Sequence, residues 1–356
     1  MAVDRDPVAL EQSTPAAPAG VAPGAARLAG VTISQVAQAA GVSRATVSRV
    51  INGRASVAPE LAERVRATAA ALGYQPSPVA RSLALGRTST VAIIVPDLAN
   101  PMFQSVLRGL GRAAAAHGHR MIVAESNEDP REEALLAVEV GRHCDGIVLA
   151  ASRLPDAELA ELVPRLGPVV LVNRDIPGLA VPSIAVDYRA GIRDVAAHLI
   201  GLGHTRLAYL AGPPASAANR ERVHSLRGVV RECRRVELIE LECGGTFADG
   251  QAVAEAVIHS RATGVIAFND LVAFGAMGGL HEFGVAVPRQ VSMVGFDDIP
   301  FARFTTPPLT TASVPQHELG GQAWQRLWAL LQGRSPQHNV IFRPRLEVRG
   351  STGPPP

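Results

Sequence analysis

The sequence predicts two folds in series: a small all-α helix-turn-helix headpiece, then a two-lobed α/β core built on parallel sheets. Three observations predict it. Short apolar stripes at helical spacing between Thr32 and Leu72 are separated by a turn of helix-turn-helix length. From Val91 onward, short β-rich runs alternate with helical runs, which is a βαβ series. That series closes at Val186 and begins again with Tyr188, giving two similar halves.

Composition narrows the classes. The chain has 356 residues, enough for a small domain plus a larger one. No run of 18 apolar residues lacks a charge or a breaker, so no membrane partner is expected. Residues 1–30 are rich in Ala and Pro and carry Asp4, Asp6 and Glu11, without a basic start and apolar core. They read as a disordered extension and not as a secretion signal, so a cytoplasmic location is expected. Cys144, Cys233 and Cys243 form no CxxC pair and stand at no zinc-finger spacing. They read as ordinary thiols in a reducing compartment; neither a metal nor a cofactor is expected. Every basic residue is Arg. Residues 31–87 hold seven Arg against Glu60 and Glu63, while the rest of the chain is slightly acidic. A basic surface concentrated in a short module points to a polyanion partner.

Within that module, Thr32-Ile-Ser-Gln35 reads as a capping box that opens a helix through Val36, Ala37 and Ala40 and stops at Gly41. Ser43 caps a second helix with Val47 and Val50 inward, ended by Asn52-Gly53. Pro59 opens a third that runs through Leu61, Val65, Ala69 and Leu72 to Gly73. The start of the second helix of such a unit meets base edges. Arg44 can fork to guanine, Ala45 offers a methyl group, and Arg49 lies a turn further on. Thr32, Ser43, Thr46, Ser48 and Asn52 suit phosphate oxygens. The alternative is a solvated helix face.

The stretches VSRATVSRVING, LGYQPSPVARSLA and TSTVAIIVPDLANPMF, taken together, are similar to the LacI/GalR family of bacterial repressors, and the likeness continues to about residue 350. The resemblance implies that Pro78–Leu85 is a hinge helix that forms on operator DNA beside its dimer mate. Leu83 would be wedged into the minor groove, with Val79 and Ala80 making hinge and groove contacts. The expected organisation is therefore an extension over 1–30, a helix-turn-helix domain over 31–76, and a hinge and linker over 77–88. A core for effector binding and dimerisation follows over 89–350, then a tail over 351–356.

The core reads in order. Strands over Val91–Val95, Arg120–Ala124, Gly146–Ala150, Val169–Val172 and Ser183–Val186 alternate with helices over 101–117, 130–142 and 156–166. The second half places strands at Arg206–Leu210, Val236–Leu241, Gly264–Phe268 and Val291–Gly295. Helices cover 188–202, 220–231, 248–259 and 271–283. The resemblance implies a periplasmic-binding-protein-like core whose chain crosses between halves near Val186–Asp187, Ser313–Gln316 and Ile341–Arg343, with Gln316–Gln332 helical. The first lobe would hold 89–186 and 317–341, and the second 187–315 and 343–350. The stretch Arg231–Gly245 is short for the helix, loop and strand that the family places there.

A ligand in such a core lies in the crevice at the strand ends. Strand ends nominate Asp97 and Asn100, Asn173, Arg174 and Asp175, Asn269 and Asp270, and Asp297 with Asp298. Such residues suit a polyhydroxylated ligand. The resemblance implies Asp270 as a ligand-binding carboxylate beside Asn269, Arg222 as the ligand-binding arginine, Gln316 as a contact at a crossover, and Phe103 as a ring flanking the ligand. Asn173-Arg174-Asp175 fits either ligand binding or pairing at the crevice edge, and Asp297-Asp298 is expected to be a structural strand end.

Other readings are weaker. Gly109-Leu-Gly111 lies in a helical pattern and lacks a third glycine, against a dinucleotide enzyme. His117-Gly-His119 sits at a helix end with no third ligand, which favours a cap over a metal. No Ser/His/Asp or Cys/His constellation carries a supporting motif, so no enzyme is expected. An extracytoplasmic sugar-binding transport protein would use the same two lobes but not the basic headpiece. The expectation is a dimeric regulator of a pseudo-palindromic operator, answering to a sugar or sugar derivative, with no long leucine heptad tail to build a tetramer.

Overall fold

The computed structural model describes residues 31–51, 57–75, 86–336 and 339–356. The expected extension over 1–30, Asn52, and the hinge residues Val79, Ala80 and Leu83 lie outside the described residues. The chain divides into two units between Arg81 and Ser82.

In the first unit, helix α1 spans Ile33–Ala39, α2 Arg44–Ile51 and α3 Pro59–Ala71. The capping box at Thr32 is formed: Thr32 N donates to Gln35 Oε1 at 2.7 Å and Gln35 N donates back to Thr32 Oγ1 at 3.4 Å. Ser43 Oγ accepts from Thr46 N at 3.1 Å and so starts α2. Val36, Val47 and Val65 are completely buried, with five smaller contributions from Ala37, Ala40, Val50, Ala62 and Ala69. The inward stripe of α3 is thus Ala62, Val65 and Ala69, and Leu72 is exposed. A core of Val and Ala alone is small, as a unit of this length allows.

The second unit holds two six-stranded sheets. The chain builds β1 (Thr90–Val95), α4 (Pro101–Ala116), β2 (Arg120–Glu125), α5 (Pro130–Gly141), β3 (Gly146–Ala150), α6 (Asp156–Leu162), β4 (Val169–Val172) and β5 (Ser183–Val186). It continues with α7 (Tyr188–Gly201), β6 (Arg206–Ala211), α8 (Ala217–Glu232), β7 (Glu237–Glu242), α9 (Phe247–Ala252), α10 (Ala254–Ser260), β8 (Gly264–Ala267), α11 (Asp270–Glu282), β9 (Ser292–Asp297) and β10 (Thr310–Ser313). Then come α12 (Gln316–Leu331), β11 (Val340–Phe342) and β12 (Arg345–Glu347).

The first sheet runs β11-β5-β4-β3-β1-β2 and is parallel throughout. The second runs β12-β10-β9-β8-β6-β7 and is parallel except where β12 lies antiparallel to β10. Strands β3, β4 and β8 are buried at every position, which is why they read as unbroken apolar runs and not as alternation. The chain passes from the first sheet to the second after β5, back after β10, and over again between β11 and β12.

Three details differ from the sequence reading. The helix expected over Ala248–His259 is two helices that meet at Val253. Strands β10, β11 and β12 were not anticipated: β10 is Thr-Thr-Ala-Ser, β12 is Arg-Leu-Glu, and β11, although Val-Ile-Phe, has only three residues. The stretch 231–245, read as short for a helix, loop and strand, holds all three, because α8 turns through Cys233–Val236 directly into β7.

Gly109 explains itself here. It lies inside α4, where a Cβ would meet the His317 carbonyl oxygen of α12 at 2.1 Å, and Gly320 meets Val106 O in the same way. Two helices more than 200 residues apart touch backbone to backbone, and the glycines serve that contact. His117 ends α4 as its cap and packs at a tilt against Trp328 of α12, with ring centroids 4.8 Å apart.

Candidate functional site

On the headpiece, α2 presents Arg44, Ala45 and Arg49 to solvent, while Val47 and Val50 hold its other face in the core. Thr46 and Ser48 are half-buried on its flank. The hydroxyls of Thr32 and Ser43 cap α1 and α2 and so fix the starts of both helices.

A cavity of about 510 Å³ lies between the two lobes of the second unit. The first lobe supplies Asp97, Asn100 and Phe103 from the end of β1 and the start of α4, Glu125 from β2, and Arg153 from beyond β3. The second supplies Tyr188, Ser216, Arg222, Thr246, Phe268, Asn269 and Asp297. Five of the nine expected contacts therefore line it: Asp97, Asn100, Phe103, Arg222 and Asn269.

Arg222 is a completely enclosed cation. Its Nη1 donates to the Phe268 carbonyl, and its Cζ lies 3.8 Å from the Phe296 ring centroid and 4.5 Å from that of Tyr188. Cation–π attraction and one carbonyl compensate its desolvation, and its buried Nε has no hydrogen-bond partner. Asp297, from the same lobe, also lines the cavity. Burial pushes the Asp297 carboxyl up to about 7, against the pull of the Arg222 guanidinium. Asp97 is also held above the ordinary carboxylate value, first by burial, then by the nearby Glu125 and Glu128, with the Ala99 amide opposing.

Four expected contacts stand elsewhere. Asp270 is the first residue of α11 and turns into the sheet: its Oδ1 accepts from Thr311 Oγ1 at 2.6 Å and its Oδ2 from Ile299 N at 2.8 Å. Gly295 permits this, since a Cβ there would lie 2.2 Å from Asp270 Oδ1. Gln316 donates through Nε2 to the Asp297 carbonyl and holds that strand end instead of lining the wall. Arg174 donates to Leu154 O at 2.8 Å and to Asp156 Oδ1 at 2.5 Å, which pins the start of α6. Asn173, at φ 55°, donates its backbone N–H to Ile184 O at 2.8 Å, and Ser183 Oγ donates to Asp175, so this stretch serves pairing at the crevice edge.

The Asp297-Asp298 pair splits. Asp298 accepts from Arg349 Nη2 at 2.5 Å and is structural; Asp297 enters the cavity. The sequence placed both at a strand end but carried no sign that Asp297 would sit at φ 110°, which aims it away from its neighbour. Glu125, Glu128 and Arg153 were missed as well. Glu125 is the last residue of an edge strand, and Glu128 and Arg153 lie in loops, where periodicity is silent.

Among the described residues no group of His, Cys, Asp and Glu could hold a metal ion, and no helix is long and apolar enough to cross a membrane.

Both units are similar to known proteins. Residues 32–77 match the bacterial regulatory proteins of the lacI family, and residues 196–352 match the periplasmic binding protein-like domain. The HTH-type transcriptional regulator GalR of Escherichia coli is 35% identical over 336 residues, covering 91% of this chain and 96% of that protein. The HTH-type transcriptional repressor CytR of E. coli is 30% identical over 330 residues, covering 90% and 96%. The crystal structure of the lac repressor dimer bound to operator and the anti-inducer ONPF superposes with a TM-score of 0.82 at 26% identity, covering 91% of this chain and 99% of that one. A regulator of the same family from Enterococcus faecium with bound ribose gives 0.68 at 26% identity, covering 74% and 99%.

Proposed function

We propose, on the premise that this chain belongs to the lacI family of bacterial regulatory proteins, that it is a repressor whose hold on operator DNA is set by a small molecule bound between its lobes. It is a DNA-binding transcriptional regulator and not an enzyme. Two copies read the two halves of a pseudo-palindromic operator, because a twofold protein matches a twofold site. Arg44 and Arg49 read base edges in the major groove beside the Ala45 methyl, and Thr46 and Ser48 lie toward the phosphates. Leu83, with Val79 and Ala80, opens the minor groove between the paired hinges. The protein works in the cytoplasm.

The observation that carries this reading is the cavity itself. Its walls come from both lobes, and three strand connections join those lobes, so a molecule filling it favours one lobe arrangement over another. Asp97, Asn100, Phe103, Arg222, Asn269 and Asp297 make the contacts. The effector is a sugar or sugar derivative; carboxylates and amides over flanking rings suit hydroxyls and a C–H face.

Selection of binding sites from random DNA by the full-length protein tests the first half. A twofold-symmetric site is expected, and Arg44→Ala is expected to lose about 1–3 kcal/mol of discrimination at one base pair in each half. Unchanged base preference in that variant would remove Arg44 as a reader.

A further inference from the structure

By topology the cavity resembles an anion site. The N-termini of α4, α8, α9 and α11 open onto it through Asn100, Ser216, Thr246 and Asn269. Helix N-termini attract anions. The side chains at these ends remove that option. Asn100 Oδ1 accepts from Met102 N at 2.9 Å, Ser216 Oγ from Asn219 N at 3.3 Å, and Asn269 Oδ1 from Val272 N at 2.8 Å. At α9 a carboxylate already sits where a phosphate would: Asp249 Oδ2 accepts from Gly245 N at 3.1 Å and Thr246 N at 2.9 Å. Each end carries an oxygen of the chain in the anion's place.

The charges point the same way. The walls hold the carboxyls of Asp97, Glu125, Glu128, Asp249 and Asp297 against the guanidiniums of Arg153 and Arg222. Arg153 is engaged, gripping Glu128 with Nη2 at 2.8 Å and donating through Nη1 to Ala151 O at 2.6 Å. Arg222 donates to Phe268 O and is covered by rings. On the first-lobe wall, Asp97 and Glu125 accept from the backbone amides of Ala99 and Leu98, both at 2.7 Å. The Asp297 side chain, only 6% exposed, is held by no hydrogen bond among the described residues. The wall is rich in acceptors and asks its ligand for donors.

We propose that this cavity selects its effector by charge: it takes an uncharged or cationic molecule bearing hydroxyls or an amine, and excludes the phosphorylated and carboxylated forms of the same molecule. This rests on reading the cavity as the effector site. A phosphate there meets several carboxylates at low dielectric, where repulsion is poorly screened, against two guanidiniums, one gripped by Glu128 and the other covered by rings. The regulator accordingly senses a sugar before any kinase or oxidase has acted on it.

Calorimetry on the full-length protein with glucose, galactose, ribose and glucosamine, each beside its phosphate ester, tests this. For every parent sugar that binds, the phosphate is expected to bind at least about tenfold more weakly. The double variant Asp97→Asn, Glu125→Gln is expected to narrow that gap. A phosphate ester that binds as tightly as its parent overturns the proposal. A second arm decides the matter even where no sugar of the set binds. Inorganic phosphate, titrated at constant ionic strength, is expected to give no saturable rise in Tm; a saturable rise that Arg222→Gln abolishes overturns the proposal. A sugar that binds yet leaves operator affinity unchanged sinks the effector assignment instead, and leaves the charge rule standing.

Discussion

Asp270 and Asp297 both end apolar runs of the second sheet, yet only Asp297 reaches the cavity. The difference is local. Asp270 begins a helix and its carboxyl is drawn to Thr311 and Ile299, whereas Asp297 ends a strand in left-handed backbone and is left with a distant cation. This has a sign in pH. The Asp297 carboxyl stands at about 7 in the folded protein against an ordinary 3.8, so folding favours the protonated acid. Its contribution to stability is complete below 3.8 and is lost as pH rises through about 7. Asp297→Asn is therefore expected to stabilise the protein at pH 8 by about 2 kcal/mol and to change little at pH 4, read by urea unfolding at both. An equal gain at both pH values would show that repacking, not ionisation, is responsible. Strand ends in the sequence nominated the right neighbourhood. They did not say which acid of a neighbouring pair turns outward, because side-chain direction there follows backbone dihedrals that no periodicity encodes. Arg174 is the counterpart case: a strand-end arginine that looks like a ligand contact but closes on Asp156 of its own lobe.

Helices and strands were more legible than the contacts between them. The capping box at Thr32 and Pro59 at the start of α3 are local signals, and local signals survive without knowledge of the fold. Gly109 shows the limit. The sequence could exclude a dinucleotide turn there, but not foresee that α12 would press its backbone on that spot. Gly→Ala inside a helix ordinarily gains about 1 kcal/mol. Gly109→Ala is expected to reverse that sign and lose about 1–3 kcal/mol, since the new methyl meets the His317 carbonyl and α4 must part from α12. A raised Tm in that variant would show that the helices separate without penalty. The break at Val253 and the polar strand β10 were hidden for a related reason: each is fixed by what packs against it and not by its own pattern.

At the scale of the molecule, the two-sheet core follows from the βαβ rhythm, and the basic headpiece from the placement of arginines. What the sequence understated is how far the C-terminal residues are built in. Residues 351–356 read as a tail, yet Ser351 is completely buried: its Oγ accepts from Thr310 N at 2.8 Å and donates to Met293 O at 2.6 Å. Gly353 O meets His204, whose ring nitrogens also bond Thr263 and Ser292. Deleting Ser351–Pro356 is expected to destabilise the second lobe by on the order of 3 kcal/mol in urea unfolding, because strand amides and a buried imidazole lose their partners. Burial lowers the His204 pKa, so the neutral ring is favoured on folding. That contribution is complete above 6.5 and lost as pH falls, opposite in sign to Asp297. The shared strands carry one more consequence, for biosynthesis. β11 pairs with β5, Val340 beside Ile184, and α12 covers the first sheet although most of the second lobe separates them in the chain. A polypeptide emerging from the ribosome thus exposes an unfinished edge at β5 and an uncovered face beside it until nearly all of it has been made. Each lobe is thus completed only by its C-terminal segments, the first by α12 and β11 and the second by β12 and Ser351, and until these are made apolar surface of both stays uncovered.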